Sequence, residues 1–472
     1  MTLSKSQYLR GLQCHKNLWL YRHRPELATP PSPSLQAIFD QGHEVGELAW
    51  KRFPGGVLIK EDHEHPQEAV ESTRKSLGRG VLYEAWFIHD NVLVRADILA
   101  EDRLIEVKSS TEVKDVYLHD VAVQRYVLEG AGIKVKKTTL LHVNGKYVRH
   151  GDVDVEKFFT ASDVTEEVLE LLPGVSARVK EFHAVAASKD EPKVEIGEQC
   201  SDPYECPFAA HCWKHVPEYS IYDIARLSWK KKNALRDMGI LRIEDVPADF
   251  DLNPSQRRQV EIARSGKPYA DREGISECVG RYEYPLYFLD FETVNPAIPP
   301  YDGLRPFQQL PFQASLHIRH KPGGPLKHES FLADARKDPR GPLRDWLKKH
   351  VGPKGSMLAY NASFEARCLE ELGGLDYIKE RLVDAADPYR KGFFAHPEFK
   401  GRWSIKAVLP TLVPGMDYSG LAIKDGSEAQ LAYLGLMKGV GDAAKVRKAL
   451  EAYCSQDTLG MMKLVELQEG MR

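Results

Sequence analysis

The sequence predicts an α/β protein with more than one domain, and three observations support this prediction. The chain has 472 residues, which is more than a single hydrophobic core usually organises. Strand-like apolar runs alternate with segments of helical spacing in two regions, 81–143 and 284–372. The pattern changes between these regions. We therefore expect three parts: residues 1–215, a small helical connector at 216–280, and residues 281–472.

Composition narrows the class of protein. The chain is 42% hydrophobic and 28% charged, as in ordinary soluble globular proteins. Seven cysteines are too few and too clustered for a secreted disulfide framework. No run approaches the ~18 apolar residues that a membrane span needs, and Met1–Leu9 lacks the apolar region of a signal peptide. We expect a cytoplasmic protein without membrane contact. Its net charge of −3 argues against a large basic surface but still permits a basic groove for nucleic acid.

Residues 1–60 have mainly helical spacing. Ser4 or Ser6 is the expected cap of a first helix that carries Cys14. After a proline-rich segment, a second helical pattern contains His43.

From residue 81 the hydrophobic period changes to that of strands. The predicted elements are strands at Val81–Ile88, Val92–Leu99 and Leu104–Lys108, a helix at Leu118–Gly130, a strand at Thr138–Val143, an Asn144-Gly145 hairpin turn leading to Lys146–Arg149, and a helix at Thr165–Lys180 with a break at Pro173-Gly174. The order of helix, three-strand meander, helix and strand is the core order of the restriction-endonuclease-like fold. We expect this fold for residues 1–215.

In the connector at 216–280, the sequence pattern predicts two short helices around a glycine turn and a third helix that begins near Asn253. Its basic residues include Lys230–Lys232 and Arg257-Arg258. Such a segment is typical of a helix-hairpin-helix-like element that binds phosphates. A helical linker with a solvated basic face is the alternative.

The last part again alternates strands and helices. The predicted elements are strands at Tyr287–Thr293, Pro311–His317 and Gly355–Tyr360, a helix at Asn361–Leu372, and one or two long helices within Ala443–Glu469. This alternation predicts an α/β domain.

An acidic pair with a lysine lies in the first predicted meander. Asp97 is on its second strand, and Glu106 and Lys108 are on its third. A hairpin brings neighbouring strands together, and residues two apart share a strand face. Phosphodiester hydrolysis at neutral pH needs charge neutralisation and an activated water, usually from a divalent metal, and Mg²⁺ prefers carboxylate oxygens. The alternative is an exposed ion pair between Glu106 and Lys108.

Four cysteines flank this region. One precedes it and three follow it at even spacing: Cys14, Cys200, Cys206 and Cys212. Four thiolates complete the ligand set of a tetrahedral Zn²⁺ or of an iron–sulfur cluster. Zinc sites favour cysteine pairs two to four residues apart, which this set lacks. The remaining three are expected to be ordinary buried thiols: Cys278, Cys368 and Cys454.

The acids and lysine resemble those of the PD-(D/E)xK nucleases, with Asp97 as the first acid. The flanking cysteines narrow the resemblance to the RecB/AddB-type iron–sulfur nucleases, including the CRISPR-associated members. This resemblance implies a [4Fe–4S] cluster on the four cysteines and Mg²⁺ or Mn²⁺ at Asp97 and Glu106. It also implies that His43 binds metal, although a structural role is the alternative, and that Gln124 and Tyr126 belong to the site.

A second group of acids follows in residues 281–472. Asp290 and Glu292 share one face at the end of an apolar strand, where two like charges are costly unless a cation joins them. Glu365 lies near a helix start, and Tyr453 and Asp457 share a helical face four residues apart. A metal site is the interpretation we favour. The alternative is a strand end with solvated acids.

These motifs are similar to those of the DnaQ-like (DEDD) exonucleases, in the tyrosine subtype, which have a ribonuclease-H-like fold. The resemblance implies two metals held by four acids and a tyrosine that positions water at DNA 3′ ends. The second motif usually carries aspartate, whereas this chain has Glu365, and Asp384 or Asp387 is the alternative acid.

The combination resembles bacterial proteins that pair a RecB-like with a DnaQ-like nuclease. It implies a metal-dependent hydrolase with two active sites, acting on single-stranded or end-exposed DNA in repair or in defence against foreign DNA, and it leaves open whether RNA is also a substrate. One alternative is a single active nuclease domain whose neighbour is a binding platform. Another is a non-catalytic iron–sulfur adaptor or redox sensor that binds nucleic acid.

Overall fold

A computed structural model describes residues 2–471. It shows a mixed α/β protein with three sheets among these residues. The chain divides into two compact units. The first comprises the residues up to His215 and Pro296–Gln308, and the second comprises Val216–Asn295 and the residues from Gln309 onward. Residues 216–280, expected as a separate connector, therefore lie in the same unit as the predicted third part. Among the described residues, none of the helices is long and apolar enough to cross a membrane.

The first unit is built on one large sheet. Its strands are Leu3–Ser4 (β1), Val57–Leu58 (β2), Leu82–His89 (β3), Val92–Ala100 (β4), Arg103–Lys108 (β5), Lys137–Val143 (β6) and Phe159–Asp163 (β7). Its helices are Lys5–Gln13 (α1), His15–His23 (α2), Pro33–Trp50 (α3), Pro66–Ser76 (α4), Asp115–Gly130 (α5), Val155–Phe158 (α6), Thr165–Ala187 (α7) and Ala209–Cys212 (α8).

The sheet order is β2-β3-β4-β5-β6-β7, with β1 also paired to β4. Strands β3, β4 and β5 form the antiparallel meander that the sequence predicts, and β6 then pairs parallel with β5. Buried apolar residues of α5 and α7 pack with the sheet in one core, among them Val121, Val127, Val179 and Phe182. This packing fixes the ends of β4 and β5, which carry the first group of acids.

Three local predictions in this unit are wrong. Lys146–Arg149 is not a strand, because Asn144 accepts a hydrogen bond from the Lys146 amide in a tight turn and β7 occupies the edge of β6 instead. The expected break at Pro173-Gly174 is absent from α7. Buried residues lie on both sides of the proline and hold the helix together. Cys14 lies at an extended joint between α1 and α2 rather than within one helix.

The second unit contains a five-stranded sheet and a small two-stranded sheet. Its strands are Tyr269–Ala270 (β8), Leu286–Val294 (β9), Leu310–Arg319 (β10), Leu326–Leu332 (β11), Met357–Ala359 (β12), Leu382–Asp384 (β13) and Phe394–Ala395 (β14). Its helices are Trp229–Asp237 (α9), Pro254–Ser265 (α10), Arg272–Val279 (α11), Arg340–His350 (α12), Ala362–Leu372 (α13), Asp376–Lys379 (α14), Asp387–Arg390 (α15), Ile405–Leu412 (α16), Gly426–Met437 (α17) and Ala443–Gly470 (α18).

The five-stranded sheet has the order β11-β10-β9-β12-β13. Strands β9, β10 and β11 are antiparallel, whereas β12 and β13 run parallel to β9. Strand β9 is therefore central, and its residues Leu286–Leu289 are buried. The C-terminal pattern forms one helix, α18, which packs on both β9 and β10. A strand buried between neighbours and covered by a helix holds its polar residues in fixed positions.

Candidate functional site

The first group of acids lies on adjacent strands of the first unit. Asp97 is on β4 and Glu106 is on β5, and the register pairs Ile98 with Ile105 beside them. The Val107 amide donates a hydrogen bond of 2.7 Å to Asp97 Oδ2. Glu106 is only 2% exposed. The structure thus brings the two predicted acids together through the hairpin.

Two lysines and a side-chain amide form hydrogen bonds to the carboxylate oxygens of the buried Glu106. Lys108 Nζ lies 2.6 Å from Glu106 Oε1 and 2.7 Å from Asp120 Oδ2. Lys5 Nζ lies 2.9 Å from the same Glu106 oxygen and 3.1 Å from Asp120 Oδ1. Gln124 Nε2 donates to Glu106 Oε2 at 2.7 Å. A compact group of two acids, two ammonium groups and one amide therefore forms next to Asp97.

In this group, the ammonium groups of two lysines oppose the effects of burial and of neighbouring carboxylates on the pKa values of the acids. Burial, with the nearby charges of Asp120 and Asp97, raises the pKa of Glu106 to about 7 even though two lysines oppose the shift. For Asp120, burial is outweighed by the ammonium groups of Lys108 and Lys5, which hold its pKa below the usual range. Glu106 consequently shares its site with more negative charge than two lysines neutralise, and an added cation would stabilise it.

Sequence reasoning missed three of these residues. Asp120 lies one helical turn before Gln124 on α5, a spacing that predicts a shared face. Lys5 comes from the first helix, more than a hundred positions from Glu106, so the sequence gives no such signal. Glu84 lies opposite Asp97 in the β3–β4 register with φ of 56°. Burial raises the pKa of Glu84, with Glu106 adding to the shift.

Two further residues were predicted for the first site, His43 and Tyr126. His43 is on α3 with an exposed side chain, and α3 packs against β5, the strand of Glu106, so its metal-binding role stays a prediction. Tyr126 donates its hydroxyl to Asp90, on the turn between β3 and β4. Gln124 and Tyr126 are two positions apart on a helix, so they face different directions, and only Gln124 reaches Glu106.

The four flanking cysteines meet in a small pocket of the first unit, which we call the cysteine pocket. Cys14, Cys200, Cys206 and Cys212 all line it, and all are free thiols. The Cys206 amide donates to the carbonyl of Cys200 at 2.9 Å, which folds the intervening loop back on itself. Burial raises the pKa of Cys206 to about 11, and the other three sulfurs add to the shift. Within residues 2–471, no three of these sulfurs lie within 4.8 Å of one another.

The second group of acids lines a cavity of about 420 Å³ in the second unit, which we call the acidic cavity. Asp290 and Glu292 reach it from β9, and Tyr453 and Asp457 reach it from α18. Glu365, on the first turn of α13, is 2% exposed. Its Oε2 has no hydrogen-bond partner among the described residues. Glu365 is not among the described residues that line the cavity, but the charge of Asp290 acts on its carboxylate. Asp290, Glu292, Tyr453 and Asp457 therefore converge on one cavity, with Glu365 behind them.

Burial, followed by repulsion between the carboxylates, determines the electrostatics of the acidic cavity. Burial and the charge of Asp457 raise the pKa of Asp290 well above its usual value. Burial, followed by Asp290 and Asp457, does the same for Glu292. For Glu365 the causes are burial and then Asp290. Four buried carboxylates that repel one another in this way are stable in charged form only beside cations.

Three further residues contact these acids and were not predicted. Tyr418 donates its hydroxyl to Asp457 Oδ1. Lys406 Nζ lies over the rings of Tyr418 and Tyr453, at 5.5 and 5.3 Å from their centroids. Cys454, expected to be an ordinary buried thiol, has its Sγ 3.5 Å from Asp290 Oδ2. Ligand atoms of Cys454, Asp290 and Glu292 lie within 4.8 Å of one another.

The two alternative acids of the second motif are bound to other partners. Asp384 accepts hydrogen bonds from the Asn361 and Ala386 amides at 3.1 and 3.0 Å. Asp387 pairs with Arg390 and with Lys391. Among the described residues, none of Asp384, Asp387 and Glu365 lines the acidic cavity itself. Glu365 is the better candidate, because its Oε2 has no hydrogen-bond partner among these residues and the charge of Asp290 acts on it.

These raised pKa values predict an inverse dependence of stability on pH. Burial raises the pKa of Asp457 to about 6 in the folded protein, against roughly 3.9 when unfolded. The folded state therefore binds more protons, so stability falls as pH rises between these values. We expect chelated protein to lose on the order of 2 kcal/mol from Asp457 alone between pH 4 and 6, with further loss at higher pH from Asp290 and Glu292.

Thermal unfolding in EDTA at several pH values measures this loss, and added Mn²⁺ should reverse it. The matched control is the Asp290→Asn, Glu292→Gln double variant, which keeps every other titrating group. Its unfolding temperature should vary less with pH and respond less to Mn²⁺. A wild-type protein that becomes more stable as pH rises in EDTA, relative to this variant, would contradict the prediction.

A family model and a curated relative each match part of the chain. Residues 287–404 match the family described as "Domain of unknown function (DUF2779)". An alignment 231 positions long, which covers 42% of this chain, is 32% identical to "Uncharacterized protein UU173" of Ureaplasma parvum serovar 3. That alignment spans 31% of the relative's length. The family match includes Asp290, Glu292 and Glu365 and ends before Tyr453 and Asp457.

Proposed function

We propose that the chain is a metal-dependent nuclease with two active sites, hydrolysing phosphodiester bonds of single-stranded or end-exposed DNA. The observation that carries this proposal is the convergence of Asp290, Glu292 and Asp457 on one cavity, with the buried carboxylate of Glu365 close enough to interact electrostatically with Asp290 and Glu292. Burial raises the pKa values of all four. Carboxylates buried together are unfavourable unless cations offset their charge, and divalent cations that also bind a phosphate would do so.

The second unit supports a ribonuclease-H-like, DnaQ-like interpretation. An antiparallel meander with its first strand at the centre, extended by two parallel strands, is the sheet that this fold requires. The acids of the three motifs lie on the elements expected for a DEDD exonuclease: β9, α13 and α18. Bound Mg²⁺ or Mn²⁺ would neutralise the scissile phosphate and activate water.

The remaining side chains of the acidic cavity have distinct tasks. The Tyr453 hydroxyl faces the acids, and burial raises its pKa, so it stays protonated and donates a hydrogen bond that orients water. Lys406 holds positive charge beside Tyr453 and lowers the pKa values of Asp290 and Asp457. The hydroxyl of Tyr418 fixes the carboxylate of Asp457. Removal of mononucleotides from 3′ ends is the activity that we assign to this site.

The first unit supports a PD-(D/E)xK, RecB-like interpretation. Its order of helix, three-strand meander, helix and parallel strand matches the core of the restriction-endonuclease-like fold. Asp97 and Glu106 would hold Mg²⁺ or Mn²⁺. Lys108, fixed by Glu106 and Asp120, would orient the attacking water. Gln124 holds the second oxygen of Glu106 in place.

The cysteine pocket fits an iron–sulfur cluster better than a single zinc ion. Four sulfurs around one tetrahedral Zn²⁺ at about 2.3 Å must lie roughly 3.8 Å apart. The wider spacing here favours a larger inorganic group, and a [4Fe–4S] cluster takes four thiolates. The cluster would tie the joint of α1 and α2 to the segment 200–212. Its role in the proposal is structural.

One observation favours an alternative in which only the second site hydrolyses DNA. The ammonium groups of Lys5 and Lys108 both contact Glu106 and Asp120, and they offset much of this negative charge without a metal. The first unit would then bind DNA as a platform for the second.

The proposal is tested with single-stranded DNA labelled at either end and incubated with Mg²⁺, Mn²⁺ or EDTA. We expect metal-dependent release of 3′-terminal mononucleotides by the second site, and a second set of products that an Asp97→Asn variant loses by at least about 10²-fold. Unchanged products in that variant would favour the single-site alternative. The absence of any metal-dependent cleavage would overturn the proposal.

A further inference from the structure

A second cavity of the same unit has the opposite charge. It measures about 260 Å³, and four arginines line it: Arg226, Arg258, Arg390 and Arg402. We call it the arginine groove. None of the described residues that line it is an aspartate or glutamate. Arg390 is paired with Asp384 and Asp387, which do not line the groove. The other three arginines leave an excess of positive charge in a chain whose net charge is −3, and positive charge attracts polyanions.

Two of the four arginines are free to bind an anion. Arg226 and Arg402 are both exposed, and among residues 2–471 neither lies within 4.0 Å of a carboxylate oxygen. Arg258 is fixed, since it donates to the Gly392 carbonyl at 2.9 Å and lies over the Tyr269 ring at 4.3 Å. One fixed guanidinium and two free ones in a single groove suit a sugar–phosphate backbone, because guanidinium binds phosphate with paired hydrogen bonds.

Aromatic rings line the same groove. They are Tyr219, Tyr389, Phe394, Phe399 and Trp403. The side chain of Trp403 is 39% exposed, although large aromatic residues are usually covered. Tyr219 is partly exposed, whereas Tyr389, Phe394 and Phe399 are buried and form the floor. Arginines beside an accessible ring such as that of Trp403 are typical of sites for single-stranded nucleic acid, where phosphates pair with the cations and unpaired bases stack on the ring.

The arginine groove adjoins the acidic cavity through one residue. Tyr360 lines the acidic cavity. Its hydroxyl donates to the Trp403 carbonyl at 2.7 Å, and its ring stacks with that of Tyr389, with centroids 6.5 Å apart. Both partners line the arginine groove. Nucleic acid held in the groove therefore lies next to the acids.

We propose that the arginine groove binds the sugar–phosphate backbone of a single strand and directs its 3′ end into the acidic cavity. The proposal rests on the function proposed for the second site, because that function supplies the occupant. It assigns a task to two arginines that come from distant segments, Arg226 just before α9 and Arg402 just before α16. Base stacking on Trp403 requires unpaired bases, so duplex DNA is excluded from the groove.

Fluorescence anisotropy of a labelled oligonucleotide of about 20 nucleotides tests the groove. The full-length protein is titrated in EDTA over a range of salt concentrations, with DNA and RNA strands of one sequence. Replacing both free arginines, as Arg226→Gln with Arg402→Gln, should raise the Kd about tenfold and reduce the salt slope by about 1.4, because each lost phosphate contact on a single strand contributes about 0.7. A loss of affinity of this size for either the DNA or the RNA strand supports the groove.

The matched control removes two exposed lysines of α18, as Lys445→Gln with Lys448→Gln, and should leave the Kd unchanged. As a second measurement, strands carrying 5-iodouracil are photocrosslinked to the wild-type protein. The crosslinked peptide should fall within residues 389–403. Wild-type affinity and salt slope for both strands in the arginine variant, or crosslinks confined to other segments, would overturn the groove.

Binding in EDTA does not depend on hydrolysis, so the two proposals fail separately. Arginine-dependent binding without metal-dependent cleavage would leave the groove standing and remove the nuclease function. Metal-dependent cleavage with binding that does not depend on the arginines would support the nuclease function and overturn the groove.

Discussion

Replacing Asp290 by asparagine is expected to reduce metal-dependent release of 3′ mononucleotides by at least about 10³-fold. The neutral amide keeps the volume of the side chain but removes one negative charge from the acidic cavity. A cation that contributes several kcal/mol to the transition state loses most of that contribution when a ligand is lost, and about 4 kcal/mol corresponds to 10³ in rate. Initial rates on 3′-labelled single strands, in Mn²⁺, measure the effect.

The same substitution is expected to stabilise the metal-free protein. Burial and Asp457 raise the pKa of Asp290, so its charged form is unfavourable in the folded state. Asparagine removes that cost. A loss of activity that accompanies a gain of stability separates a functional role from a structural one, because a misfolded variant would lose both.

Asp376→Asn is the matched control, since its side chain is 77% exposed on α14 and makes only one long ion pair, to Lys379 at 3.9 Å. It should change neither rate nor unfolding temperature. If Asp290→Asn trims 3′ ends at the wild-type rate, the acidic cavity is not the active site.

The sequence predicts the acids that share one element, because local periodicity determines their positions. Asp290 and Glu292 are two positions apart on a strand, and Tyr453 and Asp457 are four positions apart on a helix. Backbone geometry alone places each pair on one face of its element. The structure brings these four to one cavity. The hairpin that joins Asp97 to Glu106 follows from the turn between two strand-like runs.

Residues that reach a site from a distant element were missed, because their positions depend on tertiary packing. Lys5 contacts Glu106 across 101 positions, and Lys406 reaches Tyr453 from α16. Neither lysine belongs to a local pattern. The same cause explains the error at Lys146–Arg149. The Asn144-Gly145 turn indicated that a strand would follow and pair with β6, but β7 occupies that edge of β6.

The cysteines combine both situations. Even spacing identifies Cys200, Cys206 and Cys212 as one group, and the structure adds Cys14 from the joint between two helices. A helix that continued through Cys14 would give its side chain a direction fixed by the helix. The extended backbone at this position, with φ of −167°, instead places the residue outside both helices.

Cys206→Ser is expected to abolish a broad absorption band near about 400 nm in anaerobically purified protein. The four thiols line one pocket, and burial and mutual repulsion disfavour their thiolates unless a metal group is bound. Loss of one ligand exposes the cluster and removes its contribution to folding, which for metal-coupled sites amounts to several kcal/mol. The unfolding temperature of the first unit should fall accordingly.

Cys278→Ser is the matched control, because this buried thiol, 3% exposed, lies in the second unit. It should retain the absorption band and the iron content. Metal analysis decides the identity of the group, since about four irons per chain fit a [4Fe–4S] cluster, whereas one zinc without visible absorption fits the smaller site. Because the cysteine pocket holds the start of the first unit against its end, loss of the cluster should also weaken any activity that depends on Asp97, while 3′ trimming by the second unit continues.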